Sequence, residues 1–373
     1  MGQTDQWDAR MSKMVDLSVV IAGGGTGGHV FPGIAVGREL LRQRPEASVI
    51  FVGTSRGLEA KAVPRAGFKV EFIRSSGLKG RTWLGTAYAA MLLPLSAWDA
   101  WRVVSRCKPD LVVGVGGYSS GPLVLVAALR GVPTMLLEQN AVPGLTNRLL
   151  APFVRSAAVS FESTLTFFGR KGFVSGNPVR PEFLDPMVQT DTPSDSCRLL
   201  VVGGSQGAQK INEAMMSAAP ALAAIRPRLI ITHQAGPRDV DPVQEAYDTA
   251  GIEARVMSFL EPIAPEMYAS EIVLCRAGAT TLAELAAVGR ASILVPLATA
   301  TDDHQRRNAE VIADAGGAEV LLQDDLRTTV AQRVGALVAD PSRRTLMAKA
   351  MQRFARPDAA RVIVERAFRL VAS

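Results

Sequence analysis

The stretch VVIAGGGTGG, beginning at Val19, returns 180 residues later as LLVVGGSQGA, beginning at Leu199. Each copy is an apolar run that stops at a cluster of glycine and small polar residues. Each then passes into a helical pattern, FPGIAVGRELLRQ in the first and QKINEAM in the second. An apolar strand, a small-residue turn and a helix start form the opening unit of a parallel sheet covered on both faces. A chain that opens this unit twice predicts two α/β domains in tandem. Its 373 residues also exceed what one ordinary core holds.

The rest of the chain keeps the same grammar. LSVVIA, SVIFVG, KVEFI, DLVVGVGG, PTMLLEQN and SAAVSF read as short strands in the first half, and RLIITHQAG, EARVMSFL, EIVLCRAGA and ASILVPLA in the second. Helical stretches lie between them, with Pro and Gly at the joints. The expected fold is two Rossmann-like, doubly wound parallel-sheet domains, 15–178 and 179–354. Loops at the carboxyl ends of their strands are expected to face across a cleft.

Composition removes several classes. The chain is 48% hydrophobic and 20% charged, a globular balance with no disordered bulk. Cys107, Cys197 and Cys275 are far apart and odd in number, which predicts reduced thiols and offers no metal spacing. Residues 1–14 are polar and mixed in charge, unlike a signal peptide. The uncharged runs are broken by glycine or proline or fall short of the ~20 apolar residues a membrane span needs.

The net charge of +6 is unevenly placed. From Lys61 to Lys108 there are nine basic and two acidic residues, and from Arg343 to Arg369 eight and two. The first segment also contains WLGTAYAAMLLPLSAWDAW, so basic flanks surround an aromatic and aliphatic run. That pattern fits a surface docking on anionic lipid, with Lys79, Arg81 and Trp83 expected on the docking face. A buried helix with solvated ends is the competing reading. The second segment reads as the solvated face of terminal helices. No nucleic-acid-binding motif accompanies either cluster, so nucleic acid is not expected as a partner.

Small residues after a strand let backbone N–H groups approach an anion at a helix N-terminus. GGGTGGH does not match the P-loop spacing G-x-x-x-x-G-K-[ST]. A dinucleotide site would want an acid about 20 residues on, at the end of the second strand. FVGTSRGLEA has Gly53 and Thr54 there, which disfavours a nicotinamide cofactor. In the second half, CRAGATTLAELAAVG joins a strand end, a loop with hydroxyls at Thr280 and Thr281, and a helix carrying Glu284. Loop N–H groups suit a diphosphate, and a carboxylate one turn in can accept both hydroxyls of a ribose. Glu284 as a simple helix N-terminal charge is the alternative. ATDDHQRRNAEVI adds polar side chains at a further helix start, as sugar hydroxyls require.

In order, AGGGTGGHVFPGIAV, GLKGR, GVGGYSSGP, LEQNAVPGLTN, SGNPVR, VVGGSQGAQKIN and CRAGATTLAEL resemble the motifs of the MurG family of peptidoglycan glycosyltransferases. The resemblance runs from about residue 17 to the C-terminus. It implies a GT-B fold whose C-terminal helix, 355–373, packs back on the first domain. It also implies inverting transfer of N-acetylglucosamine from UDP-N-acetylglucosamine, with no metal or other cofactor. The acceptor would be the 4-hydroxyl of the muramic acid in undecaprenyl-diphospho-MurNAc-pentapeptide (lipid I), giving lipid II. Such an enzyme works at the cytoplasmic face of the bacterial inner membrane as a peripheral protein. Its expected partners are anionic inner-leaflet lipid and proteins of cell-wall synthesis.

Carried over residue by residue, the resemblance puts Thr26, Gly27 and Gly28 near substrate phosphates. It puts Asn140 and Gln305 on the N-acetylglucosamine, and Arg180 and Ser205 near the diphosphate. The main chain of Leu260 would read the uracil edge, and Ala279, Thr280, Thr281 and Glu284 would hold phosphate and ribose. An inverting transfer needs a base on the acceptor hydroxyl, and His29, closing the first glycine loop, is the candidate. His29 as a phosphate contact stays open, as does Glu138 as the base. Three positions depart from the family: Leu137 stands for a frequent His, Ala277 for a frequent Ser and His304 for a Gln. Other GT-B sugar-nucleotide enzymes, such as a glycolipid glycosyltransferase or a UDP-N-acetylglucosamine epimerase, are the alternatives, along with a non-catalytic recruitment module.

Overall fold

The computed structural model describes residues 17–75, 83–185, 195–203 and 208–372. The described chain divides into two units. One runs up to Arg180 and resumes at Arg356, and the other is Pro181–Ala355.

In the first unit the order is β1 (Ser18–Gly23), α1 (Gly27–Gln43), β2 (Ser48–Gly53), α2 (Glu59–Arg65), β3 (Lys69–Phe72), α3 (Trp83–Cys107), β4 (Leu111–Gly116), α4 (Ser120–Leu129), β5 (Thr134–Glu138), α5 (Leu145–Leu150), β6 (Ser156–Val159), α6 (Leu165–Phe168) and β7 (Gly172–Val174). The second unit holds β8 (Ser196–Val202), α7 (Gln209–Ala223), β9 (Arg228–Gln234), α8 (Val240–Ala250), β10 (Glu253–Met257), α9 (Ala264–Ala269), β11 (Ile272–Cys275), α10 (Ala279–Val288), β12 (Ala291–Leu294), α11 (His304–Asp314), β13 (Glu319–Val320), α12 (Leu326–Ala339) and α13 (Pro341–Gln352). The last helix, α14 (Ala359–Ala372), belongs to the first unit.

Both sheets are parallel and share one plan. Their orders are β3-β2-β1-β4-β5-β6-β7 and β10-β9-β8-β11-β12-β13. Each grows outward in both directions from its first strand. The strand order therefore reverses between β1 and β4 and between β8 and β11, where crevices open at the carboxyl ends of such sheets. β1 and β8, the strands whose sequences run into the two small-residue stretches, stand at these places.

Alternation along β1 explains the layering. Val19 and Ile21 pack with Val30, Ile34 and Leu40 of α1 and with Ile363, Val364 and Ala367 of α14. Val20 and Ala22 face Val103 and Val104 of α3 and Leu123, Val124 and Ala127 of α4. A strand buried on both faces is apolar along its middle, as in Val19–Ala22 of β1, Leu111–Val115 of β4 and Met135–Leu137 of β5. In the second unit Cys197, Leu199 and Val201 pack under α7, α8 and α12 through Ile211, Met215, Tyr247, Val330 and Val334. Cys107, Cys197 and Cys275 are free thiols.

Helix α3 carries two opposed stripes along its described side chains. Ser96, Ala100, Val103 and Val104 are buried, at helical spacing against the sheet. Leu93, Leu95, Trp98 and Trp101 are exposed, with Trp98 at 56% and the two indoles stacked 5.2 Å apart. Both acids of the basic segment are taken by its own arginines. Asp99 accepts from Arg74 at 2.7 Å and Glu71 pairs with Arg106. Lys79 and Arg81 lie outside the described residues, as does the side chain of Trp83.

Candidate active site

β1 ends at Gly23, and the chain turns through Gly25 at φ +93°, a conformation that costs a side chain dearly. Thr26 is extended at φ −123°, ψ 161° and caps α1 at Gly27. The loop is not empty behind. Glu59, 1% exposed in the first turn of α2, turns its carboxylate into it. Its Oε2 accepts from the Gly25 N–H at 2.8 Å, and its Oε1 accepts from the Thr54 N–H at 2.7 Å and the Thr54 hydroxyl at 3.0 Å. A methyl group at Gly24, Gly53 or Gly57 would overlap this carboxylate. Part of the glycine run therefore makes room for the protein's own anion. The acid missing from the end of β2 stands a few residues later, facing a loop instead of a ribose.

His29 lies in the first turn of α1, half-buried. Its Nδ1 is 3.3 Å from the Gly24 carbonyl oxygen and 3.4 Å from the Thr26 hydroxyl. The Cδ2–Nε2 edge of the ring rests on Gly116 at the end of β4, where a Cβ would collide with it. From Val115 the contacts continue to β5, because Gln139 Nε2 donates to the Val115 carbonyl at 3.0 Å. Arg180 sits over the Phe31 ring of α1, 5.6 Å from its centre. Thr26, Gly27, Gly28 and His29 thus share one strand end, joined through β4 to the loop of Glu138 and Asn140.

Glu138 is 2% exposed and has four donors. Oε1 accepts from Asn140 N at 3.0 Å and Asn140 Nδ2 at 3.3 Å, and Oε2 from Gly144 N at 2.9 Å and Asn147 Nδ2 at 2.8 Å. Burial pushes its carboxyl pKa up against the pull of those donors. The donors occupy the lone pairs a base would use, so the geometry makes Glu138 the tie that shapes the Asn140–Gly144 turn. Leu137, where the family often has His, is 2% exposed and packs in the core.

The second unit gathers its candidates at the carboxyl ends of β10, β11 and β12. Ala279, Thr280 and Thr281 open α10 behind Gly278, and Glu284, 6% exposed, follows one turn later. Buried Asn308 of α11 donates to the Ala277 carbonyl at 3.5 Å. Arg276 directs its fork to Val295 O, Pro296 O and Gln323 Oε1, at 3.3, 3.3 and 3.1 Å, and burial pulls its pKa down. Gln305 follows Asp302 and Asp303, both left-handed at φ 55° and 52°. Such residues cost ~1–2 kcal/mol each and cluster at working sites. The Gln305 Oε1 accepts the Leu297 N–H at 3.0 Å. The Leu260 N–H donates to Gln234 Oε1 at 3.1 Å, so a base edge read there uses the carbonyl or displaces Gln234. Ser205 lies outside the described residues.

Residues 19–159 match the model of the glycosyltransferase family 28 N-terminal domain, and residues 198–363 that of the family's C-terminal domain. The chain belongs to glycosyltransferase family 28. Within that family it is similar to a protein of Anaeromyxobacter sp. named UDP-N-acetylglucosamine--N-acetylmuramyl-(pentapeptide) pyrophosphoryl-undecaprenol N-acetylglucosamine transferase. The two are 44% identical over 357 residues, 95% of this chain and 93% of that protein. A Myxococcus xanthus protein of the same name is 41% identical, covering 94% of this chain and 92% of its own. Among solved structures, the MurG of Acinetobacter baumannii superposes with a TM-score of 0.78 at 31% identity, over 94% of this chain and 99% of that one. Its fold is GT-B. A UDP-GlcNAc 2-epimerase from Neisseria meningitidis reaches a TM-score of 0.67 at 14% identity, a likeness of fold alone.

The sequence reading overlooked Glu59, Gln234 and Asn147, which support the loops. Glu59 left one signal, its place as the first residue of the helix that follows glycines 53 and 57.

Proposed function

We infer that this chain transfers N-acetylglucosamine from UDP-N-acetylglucosamine to the MurNAc 4-hydroxyl of lipid I, forming lipid II with inversion at the sugar. The observation that carries it is 41–44% identity across about 95% of the chain to transferases named for that reaction. In the reaction the acceptor oxygen forms a bond to C1 as the bond from C1 to the UDP oxygen breaks. The electron pair leaves on the diphosphate, and the hydroxyl proton passes to a base.

His29 is the base in this reading. The four donors on Glu138 favour the imidazole, and a neutral imidazole suits proton removal near pH 7. The small-residue loop and first turn of α10 meet the diphosphate, where N–H groups and the helix dipole offset growing negative charge. Thr280 and Thr281 add hydroxyls, Glu284 accepts from the ribose, and Gln305 and Asn140 take the sugar's polar groups. Arg180 and Ser205 serve the diphosphate, with Thr26, Gly27 and Gly28 beside the acceptor phosphates. The carbonyl of Leu260 faces the uracil.

The lipid-linked acceptor stays in the bilayer, and among the described residues no helix is long and apolar enough to cross it. The exposed Leu93, Leu95, Trp98 and Trp101 of α3, with Arg102 and Arg106 beside them, support peripheral docking on anionic lipid of the inner leaflet. Proteins of cell-wall synthesis are the further partners this role implies. The deciding experiment is transfer of labelled sugar from UDP-N-acetylglucosamine to a lipid I analogue. Labelled lipid II supports the reading, and release of a free epimerised sugar nucleotide would replace it.

A further inference from the structure

Glu59 and His29 act on the two ends of one peptide group. The Gly25 N–H donates to Glu59 Oε2 at 2.8 Å, and the Gly24 carbonyl, the other end of the same peptide, lies 3.3 Å from His29 Nδ1. We propose that Glu59 is a positioning residue for His29, acting through the Gly24–Gly25 peptide to hold the imidazole as the Nδ1–H tautomer. The proposal rests on the reading of His29 as the base.

A carbonyl oxygen only accepts, so the contact with Gly24 O requires a proton on Nδ1. The Thr26 hydroxyl can accept from that same N–H, whereas the other tautomer could satisfy Thr26 alone. The Nδ1–H form carries its lone pair on Nε2, the nitrogen on the edge that lies against Gly116. Hydrogen bonds at the two ends of a peptide polarise each other, so a carboxylate on the N–H makes the carbonyl a stronger acceptor. This is the orienting job that an acid performs directly on a catalytic histidine elsewhere, here passed through one peptide unit. The glycines agree with it. Gly24, Gly53 and Gly57 leave space for the carboxylate, and a side chain at Gly117 would overlap the Gly24 carbonyl oxygen that His29 uses. A carboxylate needed only to fill space would not require its second oxygen on this peptide, because Oε1 already holds the Thr54 N–H and hydroxyl.

The chain has three histidines, so nitrogen-15 spectra of the full-length protein labelled at histidine are simple to read. His29→Gln assigns the His29 signals. Two-bond proton–nitrogen correlations should show neutral His29 protonated at Nδ1 in the unaltered protein. In Glu59→Gln the two tautomers should mix, and kcat should fall about 10- to 100-fold with KM for UDP-N-acetylglucosamine within about twofold. An Nε2-protonated His29 in the unaltered protein overturns the proposal, whether or not Glu59→Gln folds. A folded Glu59→Gln that keeps the Nδ1–H tautomer overturns it too, even with kcat reduced, because Glu59 is then only structural. If His29→Ala keeps its turnover, the base reading fails separately, and the spectra still decide the relay.

Discussion

Three glutamates, Glu59, Glu138 and Glu284, are buried at loops that follow strands, at 1%, 2% and 6% exposure. The first two are bound by backbone N–H groups of the chain and shape the loops around them. Glu284, one turn into α10, is the residue proposed for the ribose, where two charge-assisted bonds would be worth about 1.5–3 kcal/mol each. Glu284→Ala should therefore raise KM for UDP-N-acetylglucosamine strongly while the thermal unfolding curve keeps its shape. An unchanged KM in steady-state assays would remove the assignment. His29→Ala should cost about 10²- to 10⁴-fold in kcat. A loss confined to acceptor KM would make His29 a phosphate contact. His233 belongs to structure. Its Nε2 faces Asn212 Oδ1 at 3.1 Å and its Nδ1 the Tyr247 hydroxyl at 3.0 Å, and burial pulls its pKa down to about 3. The folded protein thus binds that proton less readily than the unfolded chain. Its contribution is complete above pH ~6.5 and is lost as pH falls from there toward 3, by up to about 5 kcal/mol. Denaturant melts across that window should show the loss, and His233→Gln should flatten it.

At the scale of elements, the strands from β1 to β6 and from β8 to β12 are legible because each is marked locally, by an apolar run and by the residues that end it, whereas β7 and β13, edge strands of three and two residues, are too short to carry such a run. The sequence could not divide α3 into faces with the same assurance, since an apolar, aromatic stretch fits a core or a bilayer equally well. The distinction came from packing: the sheet covers Ser96, Ala100 and Val103 and leaves Trp98 and Trp101 outside. Sedimentation with vesicles tests the docking role. Binding should need anionic lipid, weaken with salt, and fall several-fold when Trp98 and Trp101 become Ser or Arg102 becomes Glu. Equal binding to neutral vesicles, or no change in those variants, would free α3 for another task. The loop after β2 shows the opposite limit. FVGTSRGLEA is legible as a strand end and a turn, but the direction of Glu59 depends on β2 lying beside β1 in the sheet.

For the whole molecule, the repeated strand–glycine–helix unit was enough to specify two parallel α/β sheets of one plan, because sheet type follows from the alternation of apolar runs and helices. The last helix belongs to a unit remote from it in sequence. Ile363 and Val364 are fully buried in the first unit's core, and Arg44 and Arg366 stack on Phe368 and Phe173. Burial of two such side chains is worth about 3–6 kcal/mol, a large part of the ~5–15 kcal/mol that holds a domain folded. Ending the chain at residue 355 should lower the melting temperature of the first unit by calorimetry and leave the second unit's transition in place. Loss of neither, or of both, would contradict this division. The amphipathic pattern of α14 announces a helix with one apolar face, and many surfaces could cover such a face. The glycine loops divide the same way. Their residues declared a turn and a close approach, which are properties of the local backbone. That the approaching group includes Glu59, and that His29 meets the carbonyl of the very peptide Glu59 holds, depends on distant segments folding together, and no local pattern encodes it.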